Sequence, residues 1–256
     1  MKSDQLIIVY FIYIDYGSNW KKIISGQKAH LEKFGMLSDT EIFIQLTDTS
    51  IKDESQKYVK SQFPDAKIKV SHQNNFEYEA MKTVYETALQ NPNRILAYFH
   101  TKGMSYKIRN RARVERTLFR LTFQNWKNII NLLKTNSKIH KAGLIPSLGG
   151  KHVWFNFWFA KTDYLSTLEE PFITEDRYYY EWWLGNSTNL TSNSNTFSIF
   201  DGDTKSGYDH NEASAIMYRL FHDEFRYSFF VEEKFEILCK FMQRGINFLK
   251  RKISKS

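Results

Sequence analysis

Hydrophobic and polar positions alternate along the first hundred residues in a way that predicts strands separated by helices. The run Leu6–Ile14 is apolar on both faces, as expected for a central strand of a parallel sheet. Shorter apolar runs predict further strands at 41–47, 67–70 and 94–99, and helices at 20–35, 53–62 and 78–89 fill the intervals. This alternation favours an α/β fold with right-handed parallel β/α connections.

The second half of the chain has a less regular pattern. A helix is predicted over 109–134, strands over 141–146 and 152–159, and shorter helices over 162–168 and 176–184, before a polar loop at 186–195. A last amphipathic helix is expected from about 235. Because the chain has no internal repeat, we expect one domain over 1–235, divided into a nucleotide-binding half (1–105) and an acceptor half (106–235), and a basic tail at 236–256.

The charge of the chain is concentrated at its end. The net charge is +8, and from Lys240 onward there are six Lys or Arg residues and no acid. An amphipathic basic helix is expected to lie on an anionic membrane surface, and the alternative is a terminal helix docked on the domain. The remaining body is only mildly basic, so nucleic acid is not an expected partner.

Cysteine content and hydropathy favour a cytoplasmic protein. Cys239 is the single cysteine, so no intrachain disulfide can form and a reducing compartment is expected. The longest apolar run, Leu6–Ile14, is nine residues, whereas a membrane span needs about 20. We therefore expect a cytoplasmic protein that is peripheral at the inner face of the membrane through its tail.

Polar residues with chemical potential follow the predicted strands. In parallel sheets ligands bind beyond the carboxyl ends of the strands, which places 15–17, 47–49 and 100–103 at the binding edge. His100 can donate or accept a proton near neutral pH, Lys102 is a point cation suited to a diphosphate, and Gly103 permits a close backbone approach. The alternative is an ordinary strand end with a solvated lysine.

Three segments resemble one group of proteins. Residues 98–103 (YFHTKG) resemble the HTKG signature of bacterial and viral glycosyltransferase-like proteins found around capsule and lipopolysaccharide loci. Residues 156–160 (NFWFA) with Tyr164 and Leu165 resemble the group's GNFWWA…YL stretch, and 177–184 resemble its R…E.W element. The resemblance covers about residues 75–185. The sequence departs from the pattern at Phe155, where the group has glycine.

The resemblance implies a GT-A-like (Rossmann-like) fold, with a mostly parallel central sheet flanked by helices, and a nucleotide-sugar-dependent glycosyltransferase of surface polysaccharide synthesis. The acceptor would be a saccharide or a lipid-linked saccharide. The donor-binding residues are then expected to be Asp15, His100, Thr101, Lys102, Gly103 and Arg109. The acceptor-binding residues are expected to be Asn156, Trp158, Arg177 and Trp182. The alternative is a non-catalytic nucleotide- or carbohydrate-binding protein of the same fold.

Two carboxylates are candidates for the catalytic base. An inverting transfer needs one carboxylate to take the proton of the acceptor hydroxyl as it attacks. Enzymes of this fold often place that base at the start of a helix in the second half, which points to Glu181 or Asp176. The alternative is that Glu181 only forms an i,i+4 surface ion pair with Arg177.

The sequence leaves metal dependence open. Folds of this type usually carry an Asp-x-Asp motif after the fourth strand, and here His100, Thr101 and Lys102 occupy that place. We infer that Lys102, with Arg109 or Arg111, offsets the diphosphate charge, so that a divalent metal is not required. Asp201 and Asp203, with Asp209 and His210, are the fallback metal site. A simple Asp-Gly turn is the alternative there.

Overall fold

The computed structural model describes residues 6–38, 40–50, 52–101, 111–186 and 195–221. Side chains are described from Glu115 in the fourth helix and from Thr196 in the last strand. The chain divides into two compact units, Met1–Ser214 and Ala215–Ser256. The predicted boundary at 235, the tail at 236–256 and three of the predicted donor-binding residues (Lys102, Gly103 and Arg109) lie outside the described residues.

Strands and helices alternate through the first half and then become shorter. The described strands are β1 (Leu6–Tyr13), β2 (Glu41–Thr47), β3 (Lys67–Ser71), β4 (Ile95–His100), β5 (Ile139–Gly143), β6 (Trp158–Lys161) and β7 (Asn195–Ser198). The described helices are α1 (Trp20–Lys33), α2 (Asp53–Gln62), α3 (Tyr78–Gln90), α4 (Arg111–Phe123), α5 (Trp126–Thr135), α6 (Thr162–Leu165) and α7 (Tyr179–Trp182). Residues 210–221 are also helical. Within the described residues no helix is both long enough and apolar enough to cross a bilayer.

The described strands form one mixed sheet in the order β3-β2-β1-β4-β6-β5-β7. The predicted α/β class is therefore confirmed. The pairings among β3, β2, β1 and β4 are parallel, as expected from the helix that separates each consecutive pair. β6 is antiparallel to both β4 and β5, and β7 is parallel to β5. β6 reverses because residues 144–157, which join it to β5, contain only short 3₁₀ turns and no crossover helix.

Both faces of the sheet are covered. On one face Ile7, Val9 and Tyr98 pack in one apolar cluster with residues of α3, α6 and α7. On the other face Phe99 packs against Phe119 and Phe123 of α4, at ring-centroid distances of 4.9 and 5.4 Å. Burial of large aromatic side chains on both faces accounts for much of the high aromatic content of the chain.

The second half differs from the predicted elements more than the first half does, and three differences affect the site. The helix predicted over 109–134 is divided at 124–125, between α4 and α5. The strand predicted over 152–159 starts only at Trp158, because Phe155 and Asn156 are left-handed, with φ of 69° and 57°. The helix predicted over 176–184 is one turn of α-helix, α7, followed by a 3₁₀ turn at Trp183–Gly185.

Candidate functional site

The carboxyl ends of β1 and β4 are joined by Thr101. Its backbone N–H donates to the carbonyl of Phe11 and its hydroxyl oxygen accepts from the backbone N–H of Tyr13, each at 3.0 Å. Asp15, two residues past β1, accepts from the backbone N–H of Gly17 at 2.9 Å through Oδ1. Both predicted residues therefore lie at the expected edge, and both stabilise the local backbone there.

His100 closes β4 and lies beneath this edge with most of its side chain buried. Its Nε2 is 3.3 Å from the carbonyl oxygen of Phe155, and its Nδ1 is 3.9 Å from Oε1 of Glu77. The imidazole also packs edge-on against Phe157. Since both ring nitrogens face protein groups, His100 connects β4 with the 155–156 turn.

Glu77 lies at this edge and was not among the predicted site residues. It directly precedes α3, in the loop that follows β3. Its Oε2 accepts two hydrogen bonds, from the hydroxyl of Tyr98 at 2.8 Å and from Nδ2 of Asn156 at 2.6 Å. The rule that ligand sites lie beyond strand carboxyl ends, applied to β3, would have pointed to this loop.

Asn156 links three parts of the site and is itself buried. Its Nδ2 donates to Oε2 of Glu77 and also lies 3.5 Å from the carbonyl oxygen of Tyr180. Its Oδ1 accepts from the indole N–H of Trp158 at 2.7 Å. Asn156 thus fixes the relative positions of β6, α3 and α7.

Trp158 has no exposed surface, and its ring packs against that of Tyr98 at 5.2 Å. The role predicted for it in acceptor binding needs an accessible ring, so the structure corrects that prediction. Trp158 is a core residue.

Phe155 and Asn156 form two consecutive left-handed residues, a backbone conformation that is costly for side chains other than glycine. Each is held by a contact to the site, Phe155 through its carbonyl and His100, and Asn156 through its amide and Glu77. The positive φ of Phe155 also gives a physical reason for the glycine in the resembling pattern. Non-glycine residues in this conformation concentrate at functional sites.

Two carboxylates act on the same buried phenol. The pKa of Tyr98 is raised well above its ordinary value, first by burial, then by the charge and hydrogen bond of Glu77, and further by the charge of Glu181. Glu181, in α7, is half-buried. The predicted base and the unpredicted Glu77 therefore belong to one electrostatic environment at the carboxyl edge of β4.

The other residues predicted around α7 lie on the surface. Oδ1 of Asp176 accepts a hydrogen bond from the backbone N–H of Tyr178 at 2.9 Å. The backbone carbonyl of Asp176 accepts one from the backbone N–H of Tyr179 at 3.1 Å. Asp176 therefore organises the start of α7. The guanidinium of Arg177 lies over the ring of Tyr178 at 5.2 Å. Trp182 is 49% exposed, as a binding surface requires.

An open cleft of about 370 Å³ lies next to these residues. One wall is the loop between β3 and α3, and the other is the segment that leads into α7. The lining residues are Asn74, Asn75, Phe76, Ile173, Thr174 and Glu175. The cleft adjoins Glu77 on one side and Asp176 on the other along the chain.

Asp201 and Asp203 do not fit the fallback metal site. The two oxygens of Asp201 accept from Ser198 and Tyr208, at 2.6 and 2.7 Å. Asp203 accepts through Oδ1 from two backbone N–H groups, at residues 205 and 206. In the described part of the chain, no three His, Cys, Asp or Glu side chains are grouped so as to hold a metal ion. The two aspartates stabilise a turn through these hydrogen bonds.

The fold and site define an α/β protein with a mixed seven-stranded sheet and a polar, carboxylate-containing edge. The chain belongs to the family described as a domain of unknown function, DUF8361, whose model matches residues 9–198. The match runs from β1 to the end of β7, which is the extent of the sheet. No curated protein matches the sequence.

Proposed function

We propose that this chain is a glycosyltransferase of the GT-A type, which transfers a sugar from a nucleotide-sugar donor to a saccharide or lipid-linked acceptor in surface polysaccharide synthesis. One observation carries the proposal. Glu77 accepts hydrogen bonds from Tyr98 and Asn156 at the carboxyl edge of the sheet, Glu181 follows the Tyr180 carbonyl that Asn156 approaches, and an open cleft adjoins Glu77 along the chain. Carboxylates at such an edge are suited to take a proton from a sugar hydroxyl.

The topology supports the fold part of the proposal. Strands β3, β2, β1 and β4 form a parallel Rossmann-like half, in which nucleotides bind beyond the carboxyl ends of the strands. The second half continues the same sheet through the antiparallel β6. The described residues of the three segments that resemble HTKG-type transferases fall in and just after β4, in β6 with the turn before it, and in and around α7.

Glu181 is the better of the two candidate bases. Asp176 uses its carboxylate to organise the start of α7. Glu181 directly follows Tyr180, whose carbonyl lies 3.5 Å from Nδ2 of Asn156 in the site. In the proposed step the carboxylate of Glu181 takes the proton of the acceptor hydroxyl. That oxygen then forms a bond to the anomeric carbon, and the nucleoside diphosphate leaves with the electron pair of the broken bond.

The charge of the departing diphosphate needs a cation. We assign this role to Lys102, with Arg109 or Arg111, because they follow β4 in the chain and no carboxylate stands in the usual metal-binding place. Activity should then persist in EDTA, and Lys102→Ala should abolish it. A strict requirement for manganese would contradict this part of the proposal.

Hydrolysis of nucleotide-sugars by the purified full chain tests the function, because a transferase usually transfers some sugar to water. We expect release of nucleoside diphosphate from at least one donor, and Glu181→Gln should lower the rate on the order of 100-fold or more. Glu54→Gln is the matched control, because Glu54 is an exposed residue of α2 whose ion pair with Lys21 of α1 lies on the surface. Binding of a nucleotide-sugar without any turnover would instead indicate the non-catalytic binding protein.

The basic tail defines a second experiment. We propose that residues 236–256 bring the protein to the inner face of the membrane, where a lipid-linked acceptor would be found. The full chain should float with vesicles that contain anionic lipid, and removal of 236–256 should abolish flotation. Equal flotation of both chains would contradict the membrane role without affecting the catalytic proposal.

A further inference from the structure

The cleft described above has two walls of different chemistry. Phe76 and Ile173, which are 40% and 60% exposed, present apolar surface from the two sides. Between them, the amide of Asn75 and the carboxylate of Glu175 make no hydrogen bond to the described part of the protein. A ligand that enters the cleft therefore meets both an aromatic ring and polar groups that are available to it.

The walls are held in place before any ligand arrives. Phe76 is left-handed, with φ of 53°, and its backbone N–H donates to Oδ1 of Asn74 at 3.2 Å. Opposite it, Oγ1 of Thr174 accepts from the backbone N–H of Asp176, and the Thr174 N–H donates to the hydroxyl of Tyr180 at 3.3 Å. A fixed backbone lowers the conformational entropy lost on binding. Strain at a partly exposed phenylalanine is also a mark of a functional position.

The lining also indicates which ligands are unsuitable. No Lys, Arg or His is among the residues that line the cleft in the described structure, and Glu175 adds a negative charge. A phosphate or diphosphate would find no cation there and would be repelled. A neutral ring with one apolar face and several hydroxyl groups fits better. Its C–H face can pack on Phe76, and its hydroxyls can bond to an amide and a carboxylate.

We propose that this cleft binds a pyranose ring of a neutral saccharide. Its role as the acceptor subsite rests on the function proposed above, because the cleft adjoins Glu77 and the start of α7. The binding itself does not depend on catalysis. The lining of the cleft contains none of the residues predicted to bind the nucleotide.

Saturation-transfer NMR on the full chain, without nucleotide, tests the proposal with neutral trisaccharides of glucose, galactose and N-acetylglucosamine. We expect at least one to bind, with saturation strongest on protons of one ring face. Phe76→Gly should weaken that binding on the order of tenfold. This variant removes the ring and also the cost of the left-handed backbone, so it should remain folded. Phe200→Ala is the control, because Phe200 is similarly exposed on a different turn.

The possible outcomes separate the two proposals. Saccharide binding that depends on Phe76, in a chain that hydrolyses no nucleotide-sugar, would support the cleft and reject the transferase. Hydrolysis without binding of any saccharide, or binding unaffected by Phe76→Gly, would reject the cleft as the saccharide site. Displacement of the saccharide by uridine or adenosine diphosphate alone would also overturn it, since the lining is unsuited to a diphosphate.

Discussion

The side-chain amide of Asn156 donates a hydrogen bond of 2.6 Å to the carboxylate of Glu77, joining two loops that are 79 residues apart in the chain. One loop leads into α3 and the other leads into β6. The same carboxylate oxygen also accepts from Tyr98 of β4. Glu77 therefore connects the parallel half of the sheet with the antiparallel β6, and it does so at the edge where the candidate site lies.

Replacing Glu77 should separate its hydrogen-bonding role from its charge. Glu77→Ala leaves the Tyr98 hydroxyl and the Asn156 amide without their acceptor, which should lower the free energy of unfolding by about 2–4 kcal/mol. Glu77→Gln keeps an acceptor oxygen and should cost less than half as much. Urea unfolding measures both, with Glu54→Ala as the exposed control, which should change stability by less than about 1 kcal/mol. Equal losses in the two Glu77 variants would contradict this reading.

Backbone strain at Phe155 can be measured by comparing two truncations. Phe155→Ala and Phe155→Gly both remove the ring, but only glycine tolerates a φ of 69° without cost. The glycine variant should be more stable than the alanine variant by about 1–2 kcal/mol in thermal or urea unfolding. At Lys57, an exposed position within α2, the alanine variant should instead be more stable than the glycine variant by about 1 kcal/mol.

The first half of the fold could be predicted from the sequence because its strands and helices have distinct periodicities. β2 and α2 have the predicted bounds, and β1, α1, β3, α3 and β4 differ from prediction by one or two residues. The second half was less predictable. The apolar run 152–159 resembles a strand by composition, but contacts from distant residues hold Phe155 and Asn156 left-handed.

The site was predictable where the chain itself delivers a residue to a strand end, as for Asp15, His100 and Thr101. Glu77 was missed because its partners come from β4 and from the turn before β6. Trp158 was assigned to the acceptor through the resemblance, and the sequence does not show which face of β6 is covered. Tyr98 covers its ring, a contact that only the antiparallel pairing of β4 with β6 creates.

The two tryptophans that the sequence predicts to bind the acceptor should behave in opposite ways. Trp158→Ala removes a fully buried ring and its hydrogen bond to Asn156, and should cost about 3–5 kcal/mol of stability. Trp182→Ala, at a half-exposed position outside the cleft lining, should cost less than about 1 kcal/mol, and the acceptor contact that the resemblance implies for it should appear as weaker saccharide binding. Urea unfolding and saturation-transfer NMR measure the two effects. A large stability loss at Trp182 would show that it is a packing residue.

A buried lysine provides a test that is independent of function. Lys141 of β5 has no exposed surface, and its ammonium donates to the carbonyls of Lys151 and Leu184 and to the hydroxyl of Tyr164, at 2.6, 3.1 and 2.8 Å. It therefore connects β5 with α6 and with the 3₁₀ turn after α7. An ammonium group has three N–H donors, and the neutral amine has only two.

The stability of the protein should depend on pH through Lys141. Burial lowers its pKa in the folded chain from 10.5 to about 7, so the unfolded chain binds more protons between these pH values. The contribution of Lys141 to stability is lowest below about pH 7 and rises with pH towards 10.5, by at most about 1.4 kcal/mol per pH unit. In urea unfolding between about pH 6 and pH 9, Lys141→Met should remove this rise, although the variant loses the three hydrogen bonds. The same pH dependence in Lys141→Met and in the unmodified chain would show that the lysine stays charged throughout, held by its three acceptors.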